Sequence, residues 1–129
     1  PTTLFRSAIK EAAQEIGSSY GAQVEMHHYE PLFKDMRQDK QLLNLFKDVM
    51  TEFGESPRIL PDDEADGSTD VGNVSYEVPT AQPTLQIGLG LEAHTPEFTC
   101  AAGSDYGLDQ AIKGAKIMAV VALRYAMCK

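Results

Sequence analysis

Apolar residues recur along the first stretch of the chain at the spacing of one helical face, with Phe5, Ala8, Ile9, Ala12, Ala13 and Ile16 in register. Steps of three and four line one side of a 3.6-residue turn, so the segment predicts an amphipathic helix. Thr2 or Thr3 can cap its start, Gly17 can take the left-handed geometry that ends it, and Ser18 to Gly21 reads as a turn. The period then changes to two. Ala22, Val24, Met26 and His28 fall on one side, with Gln23, Glu25, His27 and Tyr29 on the other. That alternation predicts a strand with one covered face, which Pro31 ends by removing a ladder donor.

Helical spacing returns with Leu42, Leu43, Phe46, Val49, Met50 and Phe53, where Asp39 is the expected cap and Gly54 the stop. Residues 55 to 70 read as loop, broken by Pro57, Pro61 and the acidic run Asp62, Asp63, Glu64 and Asp66, with Arg58 to Leu60 left for a short strand. Val71 to Val78 and Thr84 to Ile87 are strand-like on either side of Pro79 and Pro83. A final helix is expected from about Leu108 to Met127, with Leu108, Ala111, Ile112, Ala115, Met118, Ala119, Ala122 and Leu123 as its stripe. So many small residues, Gly114 among them, suit close packing of this helix on a sheet. The order is therefore α-β-α-loop-β-β-α, which places the fold in the α/β or α+β class. A break in composition near Tyr29 to Asp35 marks a candidate boundary.

Composition narrows the partners more than the fold. The 129 residues suit one compact domain, and a hydrophobic content of 43% is enough for a core. Eleven basic residues scattered among nineteen acidic ones give a net charge of -8, which argues against nucleic acid. No apolar run approaches the roughly 18 residues that span a bilayer, so no membrane partner is expected. The N-terminus lacks the basic and apolar regions of a signal peptide. Two cysteines, Cys100 and Cys128, make no disulfide framework in a chain of this size, and a cytoplasmic location is the simplest expectation. The chain opens on Pro1-Thr2-Thr3 without an initiator Met, which suggests a trimmed or cleaved product.

Candidate chemistry lies between Asp66 and Gly103. Gly67-Ser68-Thr69-Asp70-Val71-Gly72-Asn73 makes a tight polar loop, readable as a simple Asx turn or as a ligand-facing loop whose glycines permit close approach. His94 follows Gly88 and Gly90 in a short loop, and reads as a surface residue or as a metal ligand. Adjacent strand positions point to opposite faces, so His27 and His28 are expected to be structural. The acidic run lacks the pattern of a calcium loop, Ser68 and Ser75 lack a nucleophile elbow, and Cys100 is expected to be a small, at least partly buried residue.

The string GSTDVGNVSYEVPTAQPTLQIG, followed by HTPEFTCAAGS and an alanine-rich last helix, resembles the C-terminal region of M20 family metallopeptidases. The branch it looks like comprises amidohydrolases of N-acyl amino acids, aminobenzoyl-glutamate or unusual dipeptides. By this resemblance, residues 1–32 would close an α+β lid or dimerisation domain, and residues 33–129 would form the C-terminal half of a zinc-peptidase-like α/β catalytic domain. The family implies a divalent metal, zinc or manganese, that activates water against an amide carbonyl. His94 matches the block holding the last metal ligand. Asp70 and Asn73 match a loop lining the same pocket, with Gly72 and Thr95 adding backbone contacts on the substrate side.

The family's other ligands and its catalytic glutamate lie in His-x-Asp and Glu-Glu motifs, and neither occurs in these residues. No catalytic residue is therefore assigned, and activity is expected only with a missing N-terminal half as partner. The substrate implied is a small N-acyl amino acid or dipeptide. A half-domain would leave apolar faces and sheet edges open, so a homo-oligomer is expected. The contrasting reading is a binding or assembly module that retains the fold without a complete metal site.

Overall fold

The computed structural model describes residues 2–61 and 67–127, with side chains from residue 4 onward. It contains five helices, α1 (Thr2–Ser19), α2 (Lys40–Glu52), α3 (Val71–Val74), α4 (Pro96–Ala102) and α5 (Asp105–Met127). Among the described residues there is no strand. The α/β class expected from the sequence is thus corrected to a helical one. The acidic run at 62–66 and Cys128 lie outside the described residues, and the cap expected at Thr2 or Thr3 falls on side chains that are not described.

Each lost strand has a local reason. Residues 22–29, 58–60 and 84–87 form no ladder, because a strand needs a neighbour's N–H and C=O groups and none is beside them among the described residues. The stretch 71–78 instead turns on itself. Asn73 N–H donates to the Asp70 carbonyl at 2.9 Å, Ser75 N–H to Val71 at 3.0 Å, and Ser75 Oγ–H to Gly72 at 2.6 Å. Asp, Asn and Ser compete for the backbone in this way, and here they outweigh the strand preference of Val71 and Val74.

The chain divides into two compact units, Pro1–Leu32 and Phe33–Lys129. In the first, α1 runs past Gly17 and ends two residues later than Gly17 was expected to end it. Ala22 N–H donates to Gly17 at 2.8 Å and Gly21 N–H to Ser18 at 3.1 Å, closing a Schellman motif around Gly21 at φ 67°. Gly17 is instead buried under Val24, which leaves no room for a Cβ. The apolar stripe of α1 stays exposed, with Phe5 and Ile16 both more than half accessible.

The second unit is held by α2 against α5. Asp39 caps α2, its side chain accepting from Leu42 N–H at 2.8 Å, and Gly54 at φ 84° closes a second Schellman motif. Phe46, Val49 and Met50 of α2 bury against Ile117 and Val121 of α5. Two ion pairs flank this seam, Glu52 to Arg124 through two bonds of 2.6 and 2.8 Å, and Glu55 to Lys113 at 2.6 Å. Both lie on the side of α5 that faces α2. The buried face of α5 is Gly107, Gln110, Ile117 and Val121, whereas Leu108, Ile112, Met118 and Leu123 of the expected stripe are all more than half exposed. Helix α5 therefore packs on a helix rather than a sheet. Ala119 and Ala122 of its small-residue stripe are exposed, and Gly114 is partly buried beside Leu85. No helix of the described residues is long and apolar enough to cross a membrane.

Candidate functional site

The polar loop that begins at Gly67 is fastened to the segment entering α2. Gly72 is buried with the Lys34 carbonyl directly over it, so close that a Cβ could not be accommodated. Beside that contact, Asn73 Oδ1 accepts from Lys34 N–H at 2.7 Å, and Ser75 Oγ accepts from Arg37 N–H at 2.9 Å. The loop thus presents two side-chain acceptors to a backbone strap that has no ladder of its own. Each bond of this kind contributes about 1 kcal/mol net, and more is lost when a donor is stranded.

Tyr76 completes the junction. Its hydroxyl donates to Asp35 Oδ1 at 2.7 Å, while the Arg37 guanidinium lies 3.7 Å and the Lys34 ammonium 4.5 Å from the ring centroid. The ring's negative face attracts both cations. The hydrogen bond from Tyr76 holds the Asp35 carboxyl below its ordinary range, with Arg37 adding a smaller push in the same direction. The same bond, to a carboxylate, raises the Tyr76 phenol above its ordinary value. Lys34, Asp35, Arg37 and Tyr76 are the residues that reading the chain alone did not single out. A clue was present in the basic residues spaced three apart at 34 and 37, at and just beyond the end of the stretch 29–35 read as a boundary.

Asp70 sits at the N-cap position of α3 with φ -70° and ψ -15°, exposed and making no side-chain capping bond. Its carboxylate is therefore available at the surface. Asn73 is partly buried and Gly72 fully so, which makes the middle of the motif a joint and its front edge the accessible part.

His94 occupies a turn just ahead of α4. Its φ of 66° is the one positive value at a non-glycine residue among the described residues. A left-handed conformation costs a residue with a Cβ roughly 1–2 kcal/mol, although His tolerates it better than most. The turn is held from both sides. Thr95 Oγ1–H donates to the Glu92 carbonyl at 2.7 Å, and Thr95 Oγ1 accepts from Phe98 N–H at 3.2 Å as the cap of α4. Pro96 follows at the first helical position, where its fixed φ suits a helix start. The imidazole is exposed, and among the described residues no hydrogen bond or ion pair joins it to Asp70, Gly72 or Asn73.

No three His, Cys, Asp or Glu side chains among the described residues are gathered closely enough to hold an ion. One histidine does not make a catalytic zinc site, which takes three protein ligands. These residues by themselves do not fit the group, and no reaction step is derived through it. The remaining candidates are peripheral. His27 is exposed in the first unit with Nε2 3.3 Å from Glu25 Oε2, and Cys100 is exposed on α4, against the expectation of at least partial burial.

No family model matches the chain, and no solved structure matches it. Over 57 residues it is 44% identical to a Xaa-Arg dipeptidase of Homo sapiens, and equally so to a Xaa-Arg dipeptidase of Mus musculus. The matched stretch is 44% of this chain and 13% of each relative, so the chain spans a small part of the length of the curated relatives it matches. This local likeness supports a peptidase-related origin.

Proposed function

We propose that the chain is a C-terminal portion of a metal-dependent amidohydrolase or peptidase of the M20 type, which hydrolyses the amide bond of N-acyl amino acids or short peptides. The observation that carries this reading is the 44% identity over 57 residues to a dipeptidase, in a chain whose motif order resembles that family's. In this reading residues 1–32 belong to the lid, residues 33–129 to the catalytic domain, and the active protein works in the cytoplasm. His94 is one metal ligand, and the remaining ligands and the catalytic glutamate come from an N-terminal half. Zinc, or manganese in its place, would supply an activated water and polarise the amide carbonyl. This chain's own residues contribute position. Asp70 offers an exposed carboxylate at the edge of the loop, while Gly72 and Asn73 hold that loop to the strap at 34–37. The left-handed backbone at His94 is consistent with a role for the side chain, since strained conformations collect at sites where the residue type is needed.

The test is to join the chain to the polypeptide encoded upstream of Pro1 and measure bound metal and hydrolysis of N-acyl amino acids and dipeptides. His94→Ala should lower both metal content and rate. If His94→Ala leaves both unchanged, His94 is not a ligand; if the joined protein neither binds metal nor hydrolyses either substrate class, the enzymatic reading fails. A second reading is a non-catalytic binding or assembly module. It is favoured by the absence, among the described residues, of any three gathered ligands. The upstream codons separate the two, because only the first requires His-x-Asp and Glu-Glu motifs there. The exposed Leu108, Ile112 and Leu123 of α5 add an expectation shared by both readings, self-association of the isolated chain. Light scattering over a range of concentrations checks it, and a strictly monomeric species would remove it.

A further inference from the structure

Between α2, α5 and the segment 81–87 lies a cavity of about 500 Å³. Phe46 and Met50 wall it on one side and Leu85, Ile87, Ile117 and Met118 on the others. Its space comes from small residues. Gly107, Ala111, Gly114 and Ala115 border it where larger side chains would fill it. None of its lining residues carries a charge, and none is His94 or belongs to the 67–78 loop, so it is separate from the site above.

Two uncharged polar residues line this apolar space, Gln82, which is exposed, and Gln110, which is buried. Gln110 is 3% exposed and lines the cavity. Its amide nitrogen donates to the Gln86 carbonyl at 2.9 Å and to Tyr106 Oη at 3.2 Å, which uses both N–H groups. The Gln86 carbonyl can only accept, so the orientation of the amide is set by its chemistry. Gln110 Oε1 has no protein partner among the described residues, yet no buried side-chain oxygen or nitrogen there is left unsatisfied. Gln110 borders the cavity, which is the open space available to that oxygen.

We propose that this cavity is a binding site for a neutral, largely apolar molecule about the size of a fused two-ring aromatic, held by one hydrogen bond to Gln110 Oε1. Apolar cavities of about 150 Å³ take up benzene, so about 500 Å³ admits at least a fused two-ring aromatic. Neutrality follows from the uncharged lining, which offers nothing to a desolvated ion. A donor follows from Oε1, because a ligand without one would strip water from that oxygen and give nothing back. Small-molecule sites of this volume commonly pair apolar walls with a few placed polar groups. The inference does not depend on the amidohydrolase reading.

The test uses the full chain and two probes, 2-naphthol and 2-methoxynaphthalene, which differ in the donor. Fluorescence titration should show saturable binding of 2-naphthol, with the methoxy compound about tenfold weaker, the scale of one lost hydrogen bond in an apolar site. Ala115→Phe, which fills the cavity from α5, should abolish binding of both probes without lowering the melting temperature. Gln110→Leu should make the two probes equal. If Gln110→Leu fails to fold because the Gln86 tie is lost, the wild-type difference between probes and the Ala115→Phe result still decide. Equal affinities in the wild type overturn the hydrogen bond, and binding that survives Ala115→Phe overturns the location. No saturable binding of either probe overturns the site. So does a chain that associates with itself through this face, with association, not probe uptake, lost in Ala115→Phe.

Discussion

Gly72→Ala tests the joint beneath the candidate site, because two effects of opposite sign meet at that residue. Gly72 lies in the right-handed turn of α3, so its backbone conformation is open to any residue. An alanine there would ordinarily stabilise by about 0.5–1 kcal/mol, since glycine loses more freedom on folding. The Lys34 carbonyl opposes this. A Cβ at position 72 would overlap that oxygen, and a backbone group cannot swing aside as a flexible side-chain end can. Overpacking of this kind costs roughly 1–3 kcal/mol. If the strap lifts instead of compressing, the bonds from Lys34 N–H to Asn73 and from Arg37 N–H to Ser75 open with it. Those two contribute about 1 kcal/mol each. At the middle of these ranges either route is destabilising, by about 1 kcal/mol.

For a small unit that corresponds to a fall in melting temperature of about 4–8 °C for each kcal/mol. Thermal and urea melts followed by circular dichroism would read it. Gly103→Ala is the matched control, because a Cβ there meets the Thr99 and Cys100 carbonyls only at 3.7 and 3.9 Å, an ordinary contact. Its melting temperature should stay level or rise. If Gly72→Ala also stays level or rises, Lys34 does not lie over Gly72. The account of Gly72 and Asn73 as the joint between loop and strap would then be wrong.

Other consequences can be checked independently. At His94, glycine should be more stable than alanine by about 0.5–1 kcal/mol, since only glycine escapes the left-handed cost; equal melting temperatures for His94→Gly and His94→Ala would mean that the turn carries no strain. Val49 is fully buried, so Val49→Ala should cost about 2–3 kcal/mol in a urea melt from two lost carbons and the space they leave. The Tyr76–Asp35 bond depends on both protonation states. It contributes stability above the ordinary carboxyl value of 3.8 that fades as pH falls through the lowered Asp35 value. At the other end, its contribution is present below the ordinary phenol value of 10.0 and is lost as pH rises through the raised Tyr76 value. Ultraviolet titration of the tyrosines should show one component moving to lower pH in Asp35→Asn, and an unchanged curve would break the pairing.

What could be read from the sequence depended on whether the deciding partner was local. Helix α2 was legible because its cap Asp39, its apolar stripe and its stop Gly54 lie within sixteen residues and agree. The existence of α5 was legible from its long run of apolar residues at helical spacing, but its inward face was not. Both sides of that helix are apolar, and periodicity cannot choose between two apolar faces. The choice depends on distant partners: Ile117 and Val121 pack on Phe46, Val49 and Met50 of α2, and Arg124 and Lys113 pair with Glu52 and Glu55 more than fifty residues away. The alternation at 22–29 predicts a strand, as does the strand-like stretch 84–87, yet such patterns describe side chains only; the ladder needs a second strand beside it, and the described residues supply none. At the candidate site the limit is the same. Asn73 could be picked out as a residue with a task, and the structure shows its carbonyl oxygen spent on Lys34 N–H, thirty-nine positions earlier. A side chain so employed can position the neighbouring Asp70 but has that acceptor already committed, so any direct polar contact with a substrate at this edge falls first to Asp70. Asp70→Asn in the joined protein should therefore raise KM with little change in melting temperature, whereas Asn73→Ala should lower the melting temperature as well.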